Sequence, residues 1–95
     1  MFLWLFTKMR KTKYIVGKLI SSSCTTAVIF DELINHSDMR CHFSEIYGAG
    51  FCFILNGDGI PNVKVYGESY TLKVKSREED MDIIKKTLGL INHDC

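Results

Sequence analysis

The segment from Ser76 to Gly89 carries the signals of a helix at both of its ends. Ser76 and Glu79 have the spacing of a capping box, in which each side chain binds the other residue's backbone amide. Acidic residues crowd the first turn and two lysines occupy the last, as the helix dipole favours, and Gly89 stands where a helix-terminating glycine belongs. The sequence therefore predicts a helix over residues 77–88, and the rest of the fold has to be built around it.

The apolar residues of this predicted helix form a single stripe, made by Met81, Ile84 and Leu88 with Ile83 beside it. A helix with one apolar stripe covers one face of a sheet. The other face of the sheet therefore needs separate cover, either from a second helix or from a partner chain.

Strand signals occupy the first half of the chain. Residues 14–20 are rich in β-branched and aromatic side chains, which is typical of a strand. Residues 41–47 and 50–55 predict a hairpin that turns at Gly48-Ala49. Its second strand is continuously apolar over residues 51–55, so we expect it to be buried on both sides.

A second hairpin is predicted from residues 63–65 and 70–75, in which apolar and polar residues alternate. A two-residue loop at Gly67-Glu68 would place the apolar side chains of both strands on the same face. A loop longer by one residue would place one of the two apolar sets on the wrong face. The alternation therefore predicts both the pairing and its register.

Residues 25–35 admit two interpretations. Their first half has the β-branched composition of a strand. In contrast, Cys24, Ala27, Val28, Asp31 and Ile34 recur at helical spacing, and the serines before them offer an N-cap. We predict a helix here, and hence an α+β fold in the order β-α-β-β-β-β-α, with an antiparallel sheet of about five strands and helices packed on it. If the segment is a strand instead, one helix cannot cover both faces and a partner chain is expected to do so.

The charge of the chain is uneven although the net charge is only +1. Five basic and no acidic residues fall within positions 1–18, whereas the remainder carries seven basic and eleven acidic residues. We predict a basic and apolar N-terminal arm over residues 1–12, one α+β domain over residues 13–91 and a short tail over residues 92–95. Met9, which leads directly into the first strand, is an alternative start of the natural chain.

The N-terminal residues do not resemble a secretory signal, because their apolar run precedes the basic residues and contains only five residues. No apolar run elsewhere in the sequence reaches the length of a membrane span. We therefore expect a cytoplasmic protein whose four cysteines are free thiols.

The second predicted hairpin offers the best candidate for a nucleic-acid site. Lysines can bind phosphates while an aromatic ring stacks on a base, and the basic arm would add to the patch. The opposing interpretation is a solvated outer strand, because lysines on an exposed strand also prevent edge pairing. The candidate residues are Lys64, Tyr66, Lys73, Lys75 and Arg77.

No residue pattern indicates catalysis, a cofactor or a metal ion. The cysteines and histidines lack the paired spacing of structural zinc ligands, and no cysteine–histidine pair carries a local catalytic signature. The two glycine pairs near residues 48–50 and 57–59 lie between predicted strands, whereas phosphate-binding loops lead into a helix. We assign no catalytic residue, metal, cofactor or small-molecule ligand.

The expected function is that of a small non-catalytic protein-interaction module that self-associates through a face or an edge of its sheet. The reason is the surplus of apolar surface over what one helix can cover. The alternative is a nucleic-acid-binding protein that uses the lysine-bearing hairpin and the basic arm.

Overall fold

The computed structural model describes residues 12–57 and 60–90 of the chain. The predicted arm over residues 1–12 lies outside the described residues except for Thr12, as do the tail over residues 92–95 and the question of Met9. The described elements are β1 (Thr12–Leu19), β2 (Thr25–Asp31), α1 (His36–Met39), a 3₁₀ turn (Arg40–His42), β3 (Phe43–Gly57), β4 (Ile60–Tyr66), β5 (Glu68–Ser69), β6 (Val74–Lys75) and α2 (Glu79–Thr87).

The larger sheet has four strands in the order β2-β1-β3-β4, and every neighbouring pair is antiparallel. β5 and β6 form a separate two-stranded sheet. The predicted α+β class with an antiparallel sheet is therefore confirmed, and the expected sheet of about five strands is divided into these two. The strand predicted at residues 14–20 is confirmed as β1.

The helix predicted over residues 25–35 is wrong, because this segment is the edge strand β2. Pairing with β1 lets Ala27 and Phe30 be buried in separate apolar clusters on opposite faces of the sheet. A strand can serve two faces in this way because its side chains alternate, whereas a helix presents one stripe to the sheet. The β-branched composition of the first half was the correct signal.

The hairpin predicted around Gly48-Ala49 is also wrong, because residues 43–57 run as one strand of 15 residues. Its glycines serve close packing instead of a turn. A Cβ atom on Gly48 would lie 2.1 Å from an Asp80 carboxylate oxygen. A Cβ atom on Gly50 would lie 2.6 Å from the carbonyl oxygen of Tyr66. The backbone of β3 is thus in close contact with a side chain of α2 at Gly48 and with the end of β4 at Gly50.

The hairpin predicted from residues 63–65 and 70–75 is wrong, because these two segments do not pair with each other. β4 pairs with the second half of β3, so Val63 lies opposite Ile54. Gly67, with a φ of 75°, turns the chain away from the large sheet after β4. The segment expected to pair with β4 instead forms a turn followed by the short strand β6, which pairs with β5. Pairing to β3 prevails because β3 offers a long strand adjacent in sequence, with apolar residues on both of its faces.

The final helix is confirmed, although its N-terminal cap differs from the prediction. No side-chain cap bond is made at the N-cap residue, and the Ser76 amide donates to the Gly67 carbonyl, so the capping box does not form. At the other end Gly89 has a φ of 78°, and the amides of Gly89 and Leu90 donate to Lys86 and Lys85. This is the Schellman arrangement that the glycine predicted.

Two apolar clusters lie on the two faces of the large sheet. α2 covers one face, where Tyr14, Val16 and Ile84 are fully buried. On the other face, residues of α1 and of the β5–β6 segment pack over Ile15 and Ala49. Among the described residues no helix is long and apolar enough to cross a membrane.

Candidate interaction site

One end of the sheet face opposite α2 carries aromatic side chains that are only partly covered. Phe51 and Phe53 project to this face from β3, since alternate residues of a strand share a face, and Tyr66 joins them from β4. Phe53 and Tyr66 are 40% and 39% exposed. We call Phe51, Phe53 and Tyr66 the aromatic face.

Within the aromatic face, the Tyr66 ring contacts both phenylalanine rings. Phe51 and Tyr66 are stacked, with centroids 5.5 Å apart and an interplanar angle of 22°. Phe53 meets Tyr66 at 5.9 Å with an angle of 59°. Mutual contact of this kind fixes the rings in a preformed surface, because each ring restricts the rotation of its neighbour.

The expectation that residues 51–55 are buried on both sides is therefore wrong. Cys52 is 2% exposed on the α2 side, but its neighbours Phe53 and Ile54 are 40% and 49% exposed. For Ile54, which shares the α2 face with Cys52, the reason is a mismatch in length: α2 has nine residues and spans about 13 Å, whereas 15 residues of extended strand span about 50 Å. The second half of β3 runs beyond the cover that the described elements supply.

A cavity of about 190 Å³ lies directly beside Phe51, and we call it the His36 pocket. His36 is 5% exposed, and its Nε2 atom lies 3.0 Å from the Gly50 carbonyl oxygen. Its ring meets Phe30 and Phe51 edge-on, at 5.5 and 6.0 Å. The pocket is lined by Lys13, Asn35, His36, Phe51, Glu68, Tyr70 and Thr71.

Burial determines the charge state of His36. Removal of the imidazole from water lowers the pKa of His36 below its ordinary value, and the nearby Lys13 ammonium lowers it further. The bond to Gly50 requires a proton on Nε2, so the neutral ring donates from that atom. The pocket wall is therefore uncharged at this position near neutral pH.

The turn beside the His36 pocket presents Tyr70 to solvent, with 83% of its surface exposed. The turn is anchored from below, since the buried Ser69 hydroxyl accepts a bond from the Leu72 amide at 3.2 Å and Leu72 is itself buried. Lys73 has a φ of 58°, a left-handed conformation that costs a non-glycine residue about 1 kcal/mol. The anchoring contacts hold the turn in this shape.

Both edges of the large sheet carry features that oppose strand addition. On β4 the outward amide of Val63 donates to the Asn62 side chain at 2.9 Å, and Pro61, two residues earlier, has no amide proton. On β2 the outward amide of Ala27 donates to the Thr87 hydroxyl at 3.2 Å. Amides occupied in this way cannot bind the backbone of an added strand.

The sequence-predicted nucleic-acid residues do not form one patch. Lys64 and Tyr66 lie together on β4, with Lys64 opposite Phe53. Lys73 lies in the Tyr70 turn, and Lys75 lies opposite Glu68 in the small sheet. Lys64 also lines a groove of about 560 Å³ with several residues of the α2 region. The acidic members of that groove are Glu78, Glu79 and Asp82.

Arg77, the fifth predicted residue, belongs to a buried network that sequence reasoning missed. Its Nε and Nη2 atoms donate to Asp80 Oδ1 at 2.9 and 2.6 Å, and its amide donates to Oδ2 at 3.0 Å. The Tyr14 hydroxyl also donates to Oδ2, at 2.6 Å. Asp80 is fully buried, and burial together with this carboxylate raises the pKa of Tyr14 far above its ordinary value. The available signal was an aspartate one helical turn before Ile84, on the helix face that packs on the sheet.

The cysteines differ from the expectation of four free thiols. Cys41 and Cys52 are free, the former exposed and the latter buried. Cys24 is disulfide-bonded, so the expectation is wrong at this position. Cys95 lies outside the described residues. Within the described part of the chain, no group of three or more histidine, cysteine and acidic residues could hold a metal ion.

Comparison with known proteins adds no relative, because no protein-family model, no curated protein and no solved structure matches this chain.

Proposed function

We propose that this protein is a small non-catalytic interaction module that self-associates through the aromatic face. The observation that carries the proposal is the exposure of Phe53 and Tyr66, side by side in one preformed ring cluster. Aromatic side chains are enriched in the cores of protein interfaces, where they bury a large area with little loss of rotamer freedom.

The assignment of residues 25–31 to a strand supports the need for a partner. One helix, α2, packs on one face of the large sheet, while the opposite face is covered by shorter elements around Ile15 and Ala49. The aromatic face continues that surface at the end of β3 and β4. A second molecule can cover it because a sheet face requires only a complementary apolar surface.

A face is favoured over an edge as the route of association. The outward amides of Val63 and Ala27 already bind side chains of their own chain, which interrupts the row of donors that an added strand would need on each edge. The aromatic face needs no backbone pairing, since burial of apolar surface is favourable by about 25 cal/mol per Å² without directional bonds.

Sedimentation velocity of the full chain over about 1–200 µM tests this proposal. We expect a concentration-dependent dimer that is weakened by Phe53→Ser and Tyr66→Ser. Ile20→Ser is the matched control, because Ile20 is 67% exposed and follows β1 at a distance from the aromatic face. Far-UV circular dichroism establishes that each variant is folded. A monomer throughout the range, or equal effects of control and test variants, would contradict the proposal.

Nucleic-acid binding is the second candidate, and it is supported by Lys64 and Tyr66 lying beside Phe53. Thr12 lies opposite Cys52, which is between Phe51 and Phe53, and the basic residues of the N-terminal arm precede Thr12 in the sequence. The carboxylates that share a groove with Lys64 weaken this candidate. Fluorescence anisotropy with a single-stranded oligonucleotide tests it. Salt-sensitive binding that is lost in Lys64→Glu would favour nucleic acid over self-association.

We also propose a cytoplasmic location, which the free thiols of Cys41 and Cys52 support. The disulfide at Cys24 weighs against it, because such bonds persist mainly in oxidising compartments. Fractionation of cells that express the full chain tests the location. Recovery from the cytosol is expected, and recovery from secretory compartments or the medium would contradict the proposal.

A further inference from the structure

We propose that two copies of this chain pair about a two-fold axis, with Tyr70 of each copy seated in the His36 pocket of the other. The inference rests on the proposed self-association and names its anchor residue. It is carried by a protruding aromatic side chain, an adjacent cavity and opposite charges at the rim of that cavity.

Tyr70 provides the protruding group. Its side chain is 83% exposed, the largest exposure among the large hydrophobic residues described. The turn beneath it is held by Ser69 and Leu72, so the ring projects from a fixed base. A tyrosine on a rigid base loses little conformational entropy on binding, which is why tyrosine is common among residues that dominate interface energies.

The His36 pocket provides the receiving site. Phe51 and the buried His36 ring form apolar wall surface, and the volume of about 190 Å³ suits one aromatic side chain far better than a whole small-molecule ligand. The polar groups of Asn35 and Thr71 also line the cavity and can meet a phenol hydroxyl. A tyrosine combines an apolar ring with one such hydroxyl.

The rim of the pocket carries charges of both signs, from Lys13 and Glu68. In a two-fold interface each contact occurs twice with the roles exchanged. Lys13 of one copy can therefore pair with Glu68 of the other, and the reverse pair forms at the symmetric position. A lone basic or acidic partner would meet an unfavourable charge at this rim.

Tyr70 and the His36 pocket lie next to each other on the same molecule, which favours a second copy of the chain over an unrelated partner. Tyr70 itself lines the rim of the pocket, so the axis can pass beside the turn while both rings reach across it. Surfaces that contain both halves of a contact are self-complementary, as a closed dimer requires. The Phe53 and Tyr66 rings lie next to this contact through Phe51 and extend the buried area.

Dissociation constants from sedimentation equilibrium of the full chain test the anchor. We expect Tyr70→Ala to weaken the dimer by at least about tenfold, because truncation of an interface anchor commonly has this effect. Leu33→Ala is the matched control, because Leu33 is 80% exposed on a different turn. The Tyr70 variant is expected to fold normally, since its side chain makes little internal contact.

A charge exchange tests the two-fold geometry. Lys13→Glu and Glu68→Lys should each weaken the dimer, and the double variant should recover most of the lost affinity. A dimer that responds to Phe53→Ser but not to Tyr70→Ala would overturn this inference and leave the proposed function standing. A chain that stays monomeric, or whose dimer ignores Phe53→Ser, would overturn the proposed function itself. Failure of the double variant to recover affinity would reject the two-fold arrangement.

Discussion

The buried carboxylate of Asp80 allows a quantitative test of what holds α2 to the sheet. Asp80 accepts four hydrogen bonds, from the Tyr14 hydroxyl and from three nitrogen atoms of Arg77. Asp80→Ala leaves the buried hydroxyl of Tyr14 without its partner, whereas the Arg77 side chain, 31% exposed, can turn towards water. We expect a loss of about 1–3 kcal/mol in the free energy of unfolding, typical of leaving a buried hydrogen-bonding group without its partner.

Tyr14→Phe isolates the contribution of the hydroxyl. In the natural chain this change removes one bond to a charged acceptor and should cost about 1.5–3 kcal/mol. In the Asp80→Ala background it removes an orphaned polar group, so we expect it to be neutral or slightly stabilising. The difference between the two effects gives a coupling energy of about 2 kcal/mol for the pair.

Urea unfolding followed by far-UV circular dichroism measures the free energy of unfolding of the natural chain, the two single variants and the double variant. The comparison is valid if the slope of this free energy against urea concentration is the same for all four proteins. If Asp80→Ala does not fold, Asp80→Asn serves in its place, because it keeps the shape and removes the charge. An equal cost of Tyr14→Phe in both backgrounds would refute the proposed bond, and a loss below about 1 kcal/mol on removing the carboxylate would refute the role of the network.

Three further outcomes follow from the geometry. Because burial lowers the pKa of His36 below the unfolded value of about 6.5, the unfolded chain takes up a proton first, and the free energy of unfolding should fall as the pH drops below about 6.5. His36→Gln should reduce this pH dependence of the urea midpoint between about pH 7.5 and 5.5, and an unchanged pH dependence would contradict the burial of a neutral His36. Burial raises the pKa of Cys52 to about 11, so its thiol should react at least about 100-fold more slowly with a labelling reagent than the exposed thiol of Cys41. Mass spectrometry of the labelled protein measures both rates, and comparable rates would contradict the burial of Cys52. Gly48→Ala places a Cβ atom 2.1 Å from the Asp80 carboxylate and should lower the free energy of unfolding by about 1–3 kcal/mol, whereas an unaffected urea midpoint would mean that the close approach is absent.

Local signals in the sequence predicted the elements that depend on local physics. The dipole-matched charges and Gly89 located α2 because caps and dipoles act within one turn. β1 was predicted from its β-branched and aromatic composition. The capping box was wrong because the Ser76 amide is used by Gly67, a partner that lies nine residues earlier in the sequence.

Strand pairing was poorly predictable because the competing partners are non-local. The alternation at residues 63–65 fits a partner on either side, and only the three-dimensional sheet decides that β3 is chosen. Gly48 has two possible uses, a turn or a close approach, and the choice depends on Asp80, distant in sequence.

Part of the candidate site is predictable from the sequence. Tyr66 is one of the three residues of the aromatic face, and Lys64, another sequence candidate, lies opposite Phe53. Phe53 was expected to be buried, because a continuous apolar run is typical of a covered strand. Its exposure arises because the elements that cover this face, α1 and the β5–β6 segment, pack over Ile15 and Ala49, an arrangement of segments that are distant in the sequence.

The single hydroxyl of Thr87 has a consequence for the order in which the chain can fold. It accepts a hydrogen bond from the outward amide of Ala27 on β2, a strand of seven residues rich in β-forming side chains. During synthesis β2 leaves the ribosome some 60 residues before Thr87, as their sequence separation requires. Over that interval the strand is an open template for other nascent chains, and aggregation competes with folding. Premature termination before residue 87 should therefore yield insoluble rather than merely unstable products.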